Sequence, residues 1–165
     1  MNRVLGLFVS AFFLFGSIST VRAEQGGATS AEPRIMFVAI HVADLARSLE
    51  FYTGILGMRE YQRYPGPDRQ EVALTYATHV QDAQPTDSGT MLLLVKLKEH
   101  EGAYSHGEAL SRIALGVPDV RAAVAAAAKG GHKIVRQPQT IDGGSLTIGF
   151  IEDPDGFTLE LIEVK

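Results

Sequence analysis

One carboxylate near the C-terminus stands where a strand would otherwise be apolar. Phe157-Thr-Leu-Glu-Leu-Ile-Glu163 has the composition of a strand, and Glu160 sits at its centre. A carboxylate in such a place ligates a cation, moves a proton or pairs with a positive side chain, because burying it alone is costly. The other groups with chemistry to offer are His100, His106 and Glu108, in the polar, glycine-containing segment 99–110. Their i to i+6 spacing in an irregular segment lacks the preset geometry of a metal site. Asp153-Pro-Asp-Gly156, just before the acidic strand, reads as a tight turn and is assigned no chemistry. The chain has no cysteine, which removes thiolate nucleophiles, disulfides and Cys-based metal sites from consideration.

The elements that must position these groups follow from periodicity. Residues 34–42 are predicted to form a strand, Asp44 to cap a helix, and Leu45, Leu49, Tyr52 and Leu56 to mark its buried face before Gly57 stops it. Strands are expected over 58–64, 71–79 and 90–98, with a turn at Pro65-Gly-Pro-Asp68 and a loop over 81–89. The order then begins again. A strand over 112–117 precedes Asp119, which caps an alanine-rich helix running through Ala128; Gly130-Gly131 ends it, and strands follow over 132–136, 146–152 and 157–164.

Composition bounds the setting. A short basic start, the apolar run from Val4 to Ile18 and the small residues of Val21-Arg-Ala23 predict a secretory signal peptide over 1–23. The run is shorter than the roughly twenty apolar residues a membrane span needs, so no stable anchor is expected after cleavage and the mature protein is expected to be secreted or periplasmic. Residues 24–33 read as a flexible leader. Cleavage after Ala23 leaves 142 residues (165 less 23), the size of one domain. Removing Arg3 and Arg22 takes Lys and Arg from 15 to 13 against 19 acids, a charge of about −6 that disfavours nucleic acid as a partner.

The two halves lie over one another. Ile40-His-Val-Ala-Asp44 matches Leu115-Gly-Val-Pro-Asp119 at an offset of 75 residues, and each helix ends in glycine about a dozen positions later. The predicted fold class is α+β. Two βαβββ modules, about 34–98 and 111–165 and joined by the linker 99–110, form a paired, curved mixed sheet around a shared cavity within one domain, 34–165. The stretches Ile40-His-Val-Ala-Asp-Leu-Ala-Arg-Ser-Leu-Glu-Phe-Tyr-Thr-Gly-Ile-Leu-Gly-Met58 and Ile151-Glu-Asp-Pro-Asp-Gly-Phe-Thr-Leu-Glu-Leu-Ile-Glu163 resemble the opening and closing signatures of the vicinal oxygen chelate superfamily. That group includes glyoxalase I, extradiol dioxygenases and bleomycin-resistance proteins.

The resemblance implies four strand positions that hold a divalent metal in the metal-using members, where glyoxalase I has His or Gln, Glu, His and Glu. Here they read Phe37, Leu94, Arg112 and Glu160. Phenylalanine and leucine have no donor atom, and guanidinium does not coordinate a cation. No cofactor is therefore expected, and a divalent metal held through Glu160 is the alternative. The same positions imply a pairing of Arg112 with Glu160, which would put a fixed positive charge where the ion would be. His41 and Lys96 follow the strand period of two from Phe37 and Leu94, and Phe150 adds an apolar wall.

Three functions stay open. The first is a ligand-binding protein whose cavity, lined by Phe37, His41, Leu94, Lys96, Arg112 and Phe150, takes a small organic molecule. The second, implied by the resemblance, is a glyoxalase-type lyase or isomerase with Glu160 as the proton-transferring group. The third is a partner-binding module, with a homodimer among the possibilities.

Overall fold

Capping and glycine placement explain the first half of the chain. The computed structural model describes residues 35–77 and 89–165; the expected signal peptide and leader, and nearly all of the 81–89 loop, lie outside the described residues. Strand β1, Phe37–His41, leads to Asp44, whose carboxylate accepts a hydrogen bond from the Arg47 amide at 3.0 Å. That bond, more than any other influence, holds the Asp44 pKa below its ordinary value. Helix α1, Leu45–Leu49, runs on into a π-helical segment, Glu50–Ile55, closed by Gly57 at a φ of 72°. The wider π turn lets the successive residues Phe51 and Tyr52 both point inward, and both are buried. Ser48 is buried as well, which a purely apolar reading of the helix face does not anticipate; its one hydroxyl proton is shared between the Asp44 carbonyl and the Asp155 carboxylate.

Strands β2, Arg59–Pro65, β3, Arg69–Thr75, and β4, Met91–Leu97, complete the first module. The second repeats it with β5, Ile113–Gly116, helix α2, Val120–Lys129, and strands β6, Ile134–Ile141, β7, Leu146–Glu152, and β8, Thr158–Val164. Asp119 caps α2 as Asp44 caps α1, accepting from the Ala122 amide at 2.8 Å. Two four-stranded sheets result, ordered β1-β4-β3-β2 and β5-β8-β7-β6. In each, the strand before the helix pairs in parallel with the last strand, and the other neighbours are antiparallel. The sequence repeat is thus a repeat of topology.

The helix-facing sides of both sheets share one core. Ile40, Leu92 and Leu94 from the first module join Val120, Leu159 and Leu161 from the second. Gly149 on β7 permits the close approach of α2, since a Cβ there would meet Val120 Cγ1 at 3.0 Å and Val124 Cγ2 at 3.1 Å. On the other side of the first sheet, Ala73, Met91, Leu93 and Val95 form a separate apolar cluster. Strand β4 is therefore covered on both faces.

Polar groups lock the modules together where the sequence showed only a turn. The buried Asp155 carboxylate accepts from the Ala43 amide at 2.9 Å, Arg47 Nη2 at 2.9 Å and the Ser48 hydroxyl at 3.0 Å. Asp153 accepts from the buried Tyr52 hydroxyl at 2.7 Å and from the amides of Asp155 and Phe157. Burial raises the Asp153 pKa, and its hydrogen bonds oppose the rise.

Burial also raises the Tyr52 pKa well above its ordinary value, with Asp153 adding to the effect, and pushes Tyr76 up to about 12. A raised folded-state pKa contributes stability that is intact below the ordinary tyrosine value of 10.0 and is lost as pH climbs through the folded value. Stability should accordingly fall between pH 10 and about 12, and Tyr76→Phe should lessen that fall. Thermal melts across this range check it; equal slopes in the two proteins would refute it.

Candidate functional site

Strand pairing places the chemistry-bearing residues of the second module in a row. In the parallel pair β5–β8, Ala114 lies opposite Glu160; across β8–β7, Glu160 lies opposite Phe150; and across β7–β6, Phe150 lies opposite Arg136. Neighbours in register share a face, and here that face is turned away from the helix-side core, where the alternate residues Leu159 and Leu161 are buried. The Arg136 guanidinium carbon sits 4.7 Å from the centre of the Phe150 ring, a cation–π contact.

Arg112, just before β5, reaches along this face, and its Nε donates to Glu160 Oε2 at 2.5 Å. The Glu160 side chain is 13% exposed and that of Arg112 50%, so solvent screens the pair from one side and its net contribution to stability is small. Arg112 Nη1 makes a long contact with the Ser111 hydroxyl at 3.4 Å. Arg112 Nη2 and Glu160 Oε1 have no partner among the described residues. The result is a fixed dipole with a free donor edge and a free acceptor atom.

The first module contributes less than its sequence suggests. Phe37 is 52% exposed and shares its face with Ala39 and His41, away from the core. Leu94 is a correction. It pairs with Ile40 and is fully buried in the helix-side core, so it does not line the open face. Leu93, opposite Ala39 as Glu160 is opposite Ala114, is the structural counterpart of Glu160. Lys96 is displaced for the same reason. It lies on the Leu94 side of the strand, close enough to Asp44 to help lower its pKa, and its Nζ donates to the His100 carbonyl at 2.5 Å. Of the four residues expected to share a cavity, Arg112 lines the one at the seam of the modules and Phe37, Leu94 and Glu160 do not; the two sheets meet through their helix sides.

The linker packs onto both modules. Tyr104 stacks on His100, with ring centres 3.7 Å apart, and on His41 at 5.2 Å. His106 contacts the Asp155 carbonyl through Nε2 at 2.6 Å and lies against Phe157. His41 is thus an aromatic stacking surface for the linker, and Tyr104, which carried no motif, is the residue sequence reasoning missed. Glu108 makes none of these contacts.

Two cavities meet at Arg112. One, of about 290 Å³, lies at the seam of the modules and is lined by Val38, Met58, Tyr76, Leu92 and Ile113 besides Arg112. The other, of about 130 Å³, is lined by His106, Leu110, Phe157 and Thr158 besides Arg112. A larger open groove of about 630 Å³ runs between the helices, edged by Arg47, Glu50, Lys129 and His132.

A resident divalent metal does not fit this arrangement. Among the described residues no three His, Asp or Glu side chains converge, and the single carboxylate at the site is bonded to a guanidinium. The donor set is Phe37, Leu93, Arg112 and Glu160, whereas zinc and related ions take three or four N, O or S ligands.

A family model described as Glyoxalase/Bleomycin resistance protein/Dioxygenase superfamily matches residues 34–161. Lactoylglutathione lyase of Haemophilus influenzae is 33% identical over 134 residues, covering 80% of this chain and 93% of its own. The Salmonella typhimurium protein of the same name is 31% identical over the same shares. Among solved structures, the trypanothione-dependent glyoxalase I of Leishmania major is 33% identical with a TM-score of 0.63, over 79% of this chain and 86% of that one. Glyoxalase I from Zea mays gives a TM-score of 0.67 at 26% identity over 79% of this chain. The chain spans 47% of the maize protein's length.

Proposed function

Since the chain belongs to the Glyoxalase/Bleomycin resistance protein/Dioxygenase superfamily, we propose that it uses the shared fold to bind a small organic molecule at the Arg112–Glu160 pair, without a resident metal ion. The single observation that carries this reading is that pair. Its positive member stands beside the carboxylate that family resemblance would give to a metal, and both residues keep a free hydrogen-bonding edge. Phe150 beside it and the cavities on either side of Arg112 supply apolar wall and volume. The leader-like sequence 1–23 supports placing this activity outside the cytoplasm.

The second reading is a glyoxalase-type lyase or isomerase, favoured by relatives named lactoylglutathione lyase at 30–33% identity. In this chain Glu160 would move the proton and Arg112 would stabilise the developing oxyanion, with no step through a metal.

Elemental analysis of the purified protein separates the two, run beside Glu160→Gln and a lactoylglutathione lyase assay with and without added divalent ions. The binding reading expects substoichiometric metal, no activity, and small organic compounds that raise the melting temperature in the parent but not in Arg112→Ala. Stoichiometric metal that disappears in Glu160→Gln, or metal-stimulated turnover, would overturn it.

A further inference from the structure

We infer that the groove between the π-helical segment and α2 is a second binding site, for a zwitterion with an apolar side group, of amino-acid to dipeptide size. The groove shares no residue with the Arg112–Glu160 pair or with the two cavities beside it. Its shape comes from small residues. Gly54 brings no side chain to it and Ala126 only a methyl group. Gly130 lets the end of α2 close on the π-helical segment, since a Cβ there would meet Ile55 Cδ1 at 3.1 Å and His132 Cδ2 at 3.0 Å. The open volume of about 630 Å³ falls within the roughly 300–1,000 Å³ of ligand pockets.

Charge decides the class of ligand. Arg47, at one edge, is met by the buried Asp155 carboxylate at 2.9 Å, so its charge is largely cancelled. Glu50 and Lys129 stand on different elements, line the same groove and have no side-chain partner among the described residues, each other included. An anion drawn to Lys129 would be opposed by Glu50, and a cation drawn to Glu50 would be opposed by Lys129. A molecule carrying both charges complements both. The carbonyls of Ala126, Ala127 and Ala128 are taken by the amides of Gly130, His132 and Gly131, so the end of α2 offers a carboxylate the Lys129 ammonium rather than bare acceptors. His132, which also lines the groove, adds ring nitrogens that have no partner among the described residues.

The floor accounts for the side group. Phe51 is buried, with its ring centre 4.6 Å from that of His132, and Ile55 is half-buried against the shared core. Ala126 faces the groove from α2 and is exposed. An aliphatic side group laid against Ile55 and Ala126 takes apolar surface of both molecules out of water. Charges at the rim and an apolar floor between them are the arrangement a zwitterion with an apolar side group needs.

The test is a ¹H–¹⁵N NMR titration of the full-length protein with leucine and with dileucine, beside N-acetyl-leucine, which lacks the ammonium, and leucinamide, which lacks the carboxylate. At least one of the two zwitterions should shift the amides of Gly54, Ala126 and Gly130 saturably, and the same shifts should appear in Arg112→Ala. Each singly charged compound should bind about threefold to fivefold more weakly than leucine, the scale of an exposed ion pair, and the difference should shrink as salt is raised. Alanine should bind about tenfold more weakly than leucine, for want of the side group. Glu50→Gln should erase the advantage of leucine over N-acetyl-leucine, and Lys129→Gln its advantage over leucinamide. Gly54→Leu should abolish binding by filling the groove; a Cβ at Gly54 meets nothing within 4 Å, so this variant keeps the fold. The site is refuted if neither zwitterion moves the groove amides, if the singly charged compounds bind as tightly as leucine, if Gly54→Leu leaves the titration intact, or if the shifts vanish in Arg112→Ala.

Discussion

Asp155→Ala is expected to cost roughly 3 kcal/mol of folding stability. The carboxylate is 1% exposed and accepts three hydrogen bonds, from a backbone amide, a guanidinium and a hydroxyl, all on the first module. Its removal leaves the Ala43 amide without a partner in a partly buried site, reduces the Ser48 hydroxyl to its bond with the Asp44 carbonyl and strips Arg47 of its buried counter-charge. Arg47 is 48% exposed and recovers water, which keeps the cost at the lower end of what losing a buried charge partner brings. Asp155→Asn keeps an acceptor oxygen but loses the charge, and should fall about halfway. Urea unfolding of the three proteins measures the series. A loss below about 1 kcal/mol for the alanine variant would mean that the modules are held by their shared apolar core alone.

Leu94→Ala should cost roughly 2–5 kcal/mol and leave ligand binding by the folded protein unchanged. Leu94 is fully buried among Ile40, Leu92 and core residues of both modules, so truncation opens a cavity that surrounding strands cannot easily collapse. Its neighbour Leu93 looks to the other side of the sheet, toward Ala73, Met91 and Val95. Chemical denaturation, paired with titration of any ligand found for the parent, separates the roles. If Leu94→Ala weakened ligand binding without loss of stability, the strand register described above would be wrong.

That register shows why part of the site was unreadable from sequence. Face is assigned by alternation, and Met91-Leu-Leu-Leu-Val95 has none, because apolar neighbours cover both of its sides. A one-residue slip moved Leu94 and Lys96 to the wrong face together. In β8 the Glu160 carboxylate interrupts the apolar run from Leu159 to Ile162 and fixes the register; Arg112 and Glu160 stand side by side where the pairing of β5 and β8 puts them. The repeated fold was legible for a different reason. Asp44 and Asp119 are local signals, each capping a helix through an amide three residues away, and the glycine stops are equally local. The contacts of Tyr104 and Asp155 were not legible, since their partners lie far off in sequence and no motif announces them.

The interlock at Asp155 also orders events during synthesis. Its oxygen atoms reach the Ala43 amide across 112 residues, and Asp153 reaches Tyr52 across 101. A chain emerging N-terminus first can form α1 and the strands of its first module long before these acceptors exist. Until residue 155 leaves the ribosome, the Ser48 hydroxyl and Arg47 have only water or the helix itself to bond. Closure of so long a loop is slow compared with the local pairing inside each module, so the turn carrying Asp153 and Asp155 decides when α1 and the residues that flank it gain their last polar partners.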